Sequence, residues 1–275
     1  MIKVGLVTMD SECFELEKNV KKIIDFIKES KELGIQIVCF PELSLTGYVI
    51  NIRQRLKRLE DFKKDLLKYE KKIEEASLLY EITVLVGTVE IEGNKIFISQ
   101  KVYSKKGYQG SYRKMYLGEK EKNNFTEGKE VKVFEVNADG YEIKFGIGIC
   151  YDMHFPEIAM ECSLQGSQMF FAPHALSAMS TSRRLDVWNK YMCARAYDNR
   201  MYVMALNSVY LEQRSGGGVA CWDCNGTLVS KYLESKEKLY KINIDINEIE
   251  KYRNVNNKTM KNRFFLKDRI KLPNV

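Results

Sequence analysis

The segment from Tyr141 to Glu157, YEIKFGIGICYDMHFPE, places a cysteine where nucleophilic chemistry is possible. Its first half is almost wholly apolar and predicts a strand buried on both faces. Pro156 and Glu157 predict a helix start, because proline suits the first helical turn and glutamate suits its positive end. A cysteine at so sharp a strand-to-helix turn has an exposed side chain, and the next amide, that of Tyr151, can face the same space.

Two interpretations of Cys150 remain open at this point. Local positive charge can shift a thiol in such a turn toward thiolate, the reactive form. A buried structural cysteine is the alternative, since this is the usual place of the residue type. Gly146 and Gly148 weaken a strand interior, and they indicate the close approach of another backbone or of a ligand.

A glutamate follows the second predicted strand. The apolar run from Ile35 to Phe40 leads directly into PELSLTGY, so Glu42 lies just past the carboxyl end of a buried strand. Open α/β sheets place their ligand groups at such ends. Most glutamates are exposed, and that remains the alternative for Glu42.

A third polar segment begins at Tyr112 with the sequence YRKMYLGEKEKNNFTEG. It contains Lys114, Glu119 and Glu121. Taken alone, the segment is typical of an ordinary solvated loop.

The chain has only two histidines, His154 and His174, and neither is an obvious base for Cys150. His154 lies past the turn and need not face the sulfur. Carboxylate and lysine are therefore the candidates for acid–base and charge-stabilising roles. A glutamate whose pKa is raised by burial can act as a general base. A nearby lysine can stabilise the oxyanion that forms when sulfur attacks a carbonyl or nitrile carbon.

The sequence Cys221-Trp222-Asp223-Cys224 is a rival candidate for chemistry, as a redox pair or half of a zinc site. A thioredoxin-type pair opens a helix, whereas this pair leads into Asn-Gly and a strand. A structural zinc site needs four ligands, and the sequence has no second C-x-x-C. We therefore interpret these residues as hairpin cysteines.

The order of predicted elements indicates an α/β fold. A strand at 2–8, a helix from Phe14 to Leu33 and the strand before Glu42 form a unit with neighbouring parallel strands. Long helices are predicted over 51–80 and from Leu185 to Asn199, and hairpins end each half. Two sheets packed face to face with helices outside account for this pattern. We predict one domain over 1–250 and a basic arm over 251–275.

Composition narrows the function classes. The arm holds eight Lys/Arg and one acid, an excess of seven that accounts for the whole net charge of +7. A solvated lysine-rich arm is the simpler interpretation, because nothing else in the sequence supports nucleic-acid binding. Seven cysteines without a disulfide framework, no secretory signal and no long apolar run predict a cytoplasmic location without membrane association.

The three chemical segments fit one pattern. PELSLTGY around Glu42, YRKMYL around Lys114 and GIGICYDMHFPE around Cys150 resemble the nitrilase superfamily of carbon–nitrogen hydrolases, in order and approximate separation. The later ARAYDN and the GGG…NGT hairpin are similar to further landmarks of that family. The resemblance covers residues 2 to about 245.

The resemblance implies a four-layer αββα sandwich of two mixed β-sheets flanked by helices. It implies Cys150 as nucleophile, Glu42 as base and Lys114 as the group stabilising the tetrahedral intermediate. A second glutamate is expected at Glu121, with Glu119 as the alternative. Substrate contacts are expected from Tyr48, Tyr151 and His174. No metal or cofactor is expected, and dimerisation is expected through helices at 157–165 and 185–198.

The resemblance also narrows the substrate. C-Y-D-M-x-F-P-E is similar to the amidase and carbamoylase branches, so we expect hydrolysis of a small linear amide or N-carbamoyl compound, with release of ammonia. Met153 and His154 stand where the branch acting on N-carbamoyl-D-amino acids has two arginines for the substrate carboxylate, which argues against an α-carboxylate. The alternatives are nitrile hydrolysis and a catalytically silent binding relative with a basic tail. Loops 115–130 and 173–184 are expected to set side-chain specificity.

Overall fold

The computed structural model describes residues 1–55, 58–138, 140–176 and 179–253. Six strands form the first sheet, in the spatial order β14-β1-β2-β3-β4-β5. Its strands are β1 (Ile2–Thr8), β2 (Ile37–Cys39), β3 (Thr83–Glu92), β4 (Lys95–Ser104), β5 (Gly107–Arg113) and β14 (Lys238–Ile244). The central strands β1, β2 and β3 are parallel, and the flanking strands are antiparallel to their neighbours, so the sheet is mixed.

The second sheet repeats this plan in the order β13-β12-β9-β8-β7-β6. Its strands are β6 (Val133–Ala138), β7 (Tyr141–Ile147), β8 (Met169–His174), β9 (Tyr202–Asn207), β12 (Val219–Trp222) and β13 (Leu228–Tyr232). Here β7, β8 and β9 are parallel, and the outer pairs are antiparallel. A short ladder pairs β10 (Val209–Tyr210) with β11 (Ser215–Gly216).

Helices cover the outer faces of both sheets. They are α1 (Leu16–Glu32), α2 (Ile52–Arg55), α3 (Leu59–Tyr80), α4 (Pro156–Leu164), α5 (Thr181–Asn189), α6 (Met192–Asn199) and α7 (Ile246–Arg253). Strand β8 shows how the layers form: Phe171 belongs to the large core that includes the first sheet, while Phe170 belongs to the core beneath α4, α5 and α6. Successive strand side chains point to opposite faces, so each central strand of this sheet contributes side chains to both cores. The predicted four-layer αββα sandwich is confirmed.

The predicted helix from Leu185 to Asn199 was wrong in one respect, because the structure has two helices there. Lys190 and Tyr191 close α5 with N–H bonds to carbonyls three residues earlier, and Tyr191 leaves helical geometry at a φ of −135°. The apolar face nevertheless continues across the break in Leu185, Trp188, Met192 and Ala196, all of which are buried. Since helical spacing survives the interruption, the pattern could not reveal it.

The prediction for Gly146 and Gly148 also needs correction. A Cβ at Gly146 would meet the Cys162 sulfur, and one at Gly148 would meet the Phe170 ring. The close neighbours are therefore side chains of α4 and β8, and not a second backbone or a ligand. The glycines let the helix layer pack tightly on β7.

No helix in the described ranges is both long and apolar enough to cross a membrane. The predicted helix over 51–80 is present as α2 and α3, with 56–57 outside the described residues. Most of the predicted basic arm, 254–275, also lies outside the described residues. The boundary between domain and arm stays a prediction.

Candidate active site

The loop after β2 presents Glu42 to the interior. Residues 41–47 form consecutive turns in which Ser44 N–H bonds to Pro41 O and Gly47 N–H bonds to Leu43 O. The loop crosses β3 at Gly87, where a Cβ would collide with the loop backbone, so only glycine fits. Ser44 Oγ accepts the Gly87 N–H at 3.1 Å and fixes the crossing. Glu42 is consequently buried at 2% exposure, close to the end of β5.

Lys114 follows directly on β5 and lies between two carboxylates. Its Nζ is 2.7 Å from Glu42 Oε1 and 2.9 Å from Glu121 Oε1, and all three side chains are buried. Backbone bonds hold Lys114 on both sides, since its N–H reaches Ile98 O and its carbonyl accepts the Gly128 N–H. The other oxygen of Glu121 accepts the Gly118 N–H at 2.7 Å, which fixes the carboxylate toward the lysine.

Cys150 lies at a strained turn. It begins a short 3₁₀ helix, Cys150–His154, three residues after the end of β7. Its φ is +51°, a left-handed value that is unusual for a residue with a side chain. Strain of this kind persists where the surrounding structure holds it, and it clusters at functional sites. The first N–H groups of a helical turn have no carbonyl partner within it. The predicted sharp turn from strand to helix is present.

The charges of these groups interact strongly. Burial raises the pKa of Glu42 to about 7, with Lys114 lowering it and Glu121 raising it. Burial alone would lower the pKa of Lys114, but Glu42, Cys150 and Glu121 raise it above its ordinary value, so the amine stays a cation. Burial also raises the pKa of Cys150, followed by the Glu42 charge, and Lys114 only partly opposes this. In the free site, burial therefore outweighs the local positive charge, and the balance favours the protonated thiol over the thiolate.

A protonated thiol needs a base, and Glu42 is placed for that role. Cys150 lies close enough to Glu42 for the two groups to interact, which lowers the pKa of the carboxyl and raises that of the thiol. Glu42 Oε1 is occupied by Lys114, whereas buried Oε2 has no hydrogen-bond partner among the described residues. One carboxylate oxygen thus holds the lysine, and the other is free to accept a proton.

Sequence reasoning missed Asp152, which joins the cysteine turn to the lysine loop. Its carboxylate accepts the N–H groups of Ile149, Met115 and Tyr116 and the Tyr112 hydroxyl, at distances of 2.8–3.2 Å. Burial raises the pKa of Asp152 to about 6, although these donors lower it. The sequence does show an aspartate two residues after the cysteine. It does not show that this aspartate binds groups 36–40 residues upstream, because that contact depends on the fold.

The remaining predicted residues divide into two groups. Tyr48 joins the cluster, since its hydroxyl donates to Glu121 Oε1 at 2.8 Å, whereas Glu119 is exposed and pairs with Lys122. Tyr151 is 44% exposed, and its ring contacts the rings of His154 and Phe155. The substrate-binding roles of Tyr48 and Tyr151 stay predictions.

His174 is buried at the carboxyl end of β8. Its Nδ1 contacts Ala172 O at 2.8 Å, and its Nε2 accepts the indole N–H of Trp188 at 3.3 Å. Burial lowers its pKa to about 3, and the charge of Arg184 adds to this effect. The ring is therefore neutral with both nitrogens engaged, which favours a packing role. Its predicted substrate contact stays a prediction without support from these bonds.

The C-x-x-C cysteines are buried hairpin residues. Cys221 lies in β12 and Cys224 follows it in the turn before β13, and both thiols are free. Burial raises the pKa of both, that of Cys224 to about 12, so neither is a ready nucleophile.

Comparison with known proteins identifies the family of the chain. The carbon-nitrogen hydrolase family profile matches residues 3–254. A nitrilase of Pyrococcus abyssi is 29% identical over 219 residues, 76% of each chain. An omega-amidase of Saccharomyces cerevisiae is 24% identical over 277 residues, with 96% of this chain and 94% of the relative covered. The solved amidase of Nesterenkonia sp. AN1 superposes with a TM-score of 0.77 at 20% identity, over 92% of this chain and 96% of that one.

The chain belongs to the carbon-nitrogen hydrolase family, within the nitrilase superfamily, and it is an enzyme of the hydrolase class. The resemblance stated from its three motifs is confirmed.

Proposed function

We propose that the protein hydrolyses a small linear amide or N-carbamoyl compound through a Cys150 acyl-thioester, with release of ammonia. The observation on which this rests is the buried Lys114 ammonium, held between Glu42 and Glu121 beside a thiol in a strained turn. Omega-amidases and an N-carbamoylputrescine amidase among the relatives support this substrate class.

In acylation, Cys150 Sγ attacks the carbonyl carbon while its proton passes to the free oxygen of Glu42. Negative charge moves to the substrate oxygen, where the Lys114 cation stabilises it in a water-poor site. When the tetrahedral intermediate collapses, the C–N bond breaks, and the nitrogen takes the proton from Glu42 and leaves as ammonia. The acyl group remains on sulfur.

In deacylation, Glu42 removes a proton from water, and the resulting oxygen nucleophile attacks the thioester carbon. The C–S bond then breaks and the thiol is restored. A pKa near 7 suits both steps, because the carboxyl must accept and return a proton at neutral pH. Glu121 takes the supporting role of holding Lys114, with Tyr48 fixing its orientation.

The experiment is ammonia release from a panel of amides, carbamoyl compounds and nitriles, measured with wild-type protein and Cys150→Ala. We expect turnover of at least one amide or carbamoyl compound, and its complete loss in the variant. Circular dichroism of the variant provides the control for folding. Activity that survives the substitution would refute the mechanism.

Nitrile hydrolysis is the second candidate, because the same thiol can attack a nitrile carbon and the Pyrococcus abyssi relative is called a nitrilase. The panel separates the two, since a nitrilase would hydrolyse nitriles faster than the matching amides. Silence across the whole panel would instead favour a binding relative, whose predicted contact, the arm at 251–275, lies mostly outside the described residues.

We also propose a cytoplasmic homodimer. All seven cysteines are free, in agreement with a reducing compartment. The helices expected to form the interface, α4 with α5 and α6, lie together on the outer face of the second sheet. A solution mass equal to one 32.0 kDa chain would count against the dimer.

A further inference from the structure

One buried cation near Cys150 has no role in the mechanism above. Arg184 lies in the first turn of α5, and the residue is buried, with 4% of its surface exposed. The only hydrogen bond of its guanidinium to another described residue is a long one, from Nη2 to Leu176 O at 3.4 Å. Its Nε has no hydrogen-bond partner among the described residues. A guanidinium has five N–H donors, so most of its capacity is unused.

No anion in the described part of the chain balances this charge. The carboxylate ion pairs of the structure involve other cations, such as Lys114, Lys101 and Arg113. The sequence before Arg184, from Ala175 to Arg183, contains no Asp or Glu. A buried charge without a counter-ion is costly, and such groups are normally paired.

The position of Arg184 ties it to the catalytic end of the second sheet. Two 2.8 Å hydrogen bonds join the backbone of Leu176 to the side chain of Asn207, the last residue of β9. Because Arg184 donates to Leu176, its guanidinium lies near the carboxyl ends of β8 and β9. Cys150 follows the carboxyl end of β7, the parallel neighbour of β8. These ends meet along one edge of the sheet, where open α/β sheets bind ligands.

The electrostatics agree with this placement. Burial lowers the pKa of Arg184, while Cys150, Tyr191 and Tyr210 are close enough to raise it. Tyr191 and Tyr210 are in turn influenced by Cys150, and Tyr210 also by Glu42. Two tyrosines and one guanidinium thus lie within electrostatic range of the nucleophile.

We propose that Arg184 binds a carboxylate at the far end of the substrate from the scissile amide, so that the natural substrate is a short amide bearing a carboxylate. A carboxylate would accept two parallel N–H bonds from the guanidinium fork, including the unpaired Nε. The proposal rests on the proposed amide hydrolysis. In this proposal, Arg184 supplies the cation that is absent from the positions of Met153 and His154.

The test compares succinamate with 4-methylpentanamide, in which an isopropyl group replaces the carboxylate. Wild-type kcat/KM for succinamate is expected to exceed that for the neutral amide by about 100-fold, the size typical of a buried charge pair. Arg184→Met should remove that preference mainly through KM, and Arg184→Lys should retain part of it. Arg183→Met is the matched control, since Arg183 is the adjacent exposed arginine, and it should keep the wild-type preference.

The outcomes separate the two proposals. If the neutral amide is hydrolysed as well as or better than succinamate, the Arg184 assignment is wrong although the proposed function stands. Equal losses for both substrates in Arg184→Met would also overturn it, because the arginine would then serve the thiol or the fold. If wild type hydrolyses no amide, the proposed function fails, and calorimetry of succinamate with Cys150→Ala still decides the binding claim. If the variants do not fold, a wild-type enzyme without preference for succinamate still refutes the proposal.

Discussion

At the scale of single residues, the proposed mechanism divides two tasks between the two oxygens of Glu42. Oε1 holds the Lys114 cation at 2.7 Å, while Oε2, which has no hydrogen-bond partner among the described residues, would accept the proton of Cys150. The division works because burial raises the pKa of the carboxyl to a value at which it can exchange a proton at neutral pH. A glutamate on the surface, with an ordinary pKa, would be too weak a base for this thiol.

This leads to a prediction for the pH dependence of kcat/KM. Glu42 must be ionised to accept the thiol proton, so activity should rise about tenfold per pH unit on the acid side and level off above about pH 7. The measurement is kcat/KM against pH for the best substrate of the panel. An acid limb centred near 4.5, the ordinary value for glutamate, would show that burial does not tune the base.

At the scale of elements, the site depends on how three loops from separate strands are tied together. Glu42 follows β2, Lys114 follows β5 and Cys150 follows β7, and the first two belong to one sheet while the third belongs to the other. Asp152 links the sheets, because its carboxylate binds the Lys114 loop through Met115 and Tyr116 as well as the cysteine turn through Ile149.

Asp152→Asn should therefore lower the free energy of unfolding by about 2 kcal/mol. The new amide N–H₂ would face backbone donors in a buried place and leave at least one N–H without an acceptor. Tyr112→Phe is the control, since it removes one of the four donors and should cost about 1 kcal/mol. Urea unfolding measures both. An unchanged Asp152→Asn midpoint would mean that this carboxylate does not hold the two loops together.

At the scale of the whole molecule, the sequence predicted the fold because its patterns are local. Buried parallel strands, amphipathic helices and a proline at a helix start are each set by neighbouring residues. The break between α5 and α6 was missed because the apolar face runs through it. Arg184 was missed for a different reason, since a surface and a buried arginine look alike in sequence and only tertiary packing tells Arg183 from Arg184.

The motifs predicted which residues form the site, but not how those residues contact one another. The placement of Glu42 after a buried strand followed from the sequence, but Lys114 taken alone was indistinguishable from a solvated loop residue. Its burial between two carboxylates depends on contacts with Glu42, 72 residues away, and with Glu121. The balance of burial against positive charge at Cys150 likewise requires the folded structure.

The central claim is tested most directly by the mass of the protein during turnover. Acid-quenched wild-type protein should carry the acyl group of its substrate, mapped by peptide mass to Cys150 and not to the exposed Cys13. Glu42→Gln and Lys114→Met should acylate about 100- to 1,000-fold more slowly, since each removes a preorganised charge, whereas Glu121→Gln should still form the adduct. An adduct on another cysteine, or acylation of Glu42→Gln at the wild-type rate, would contradict the account.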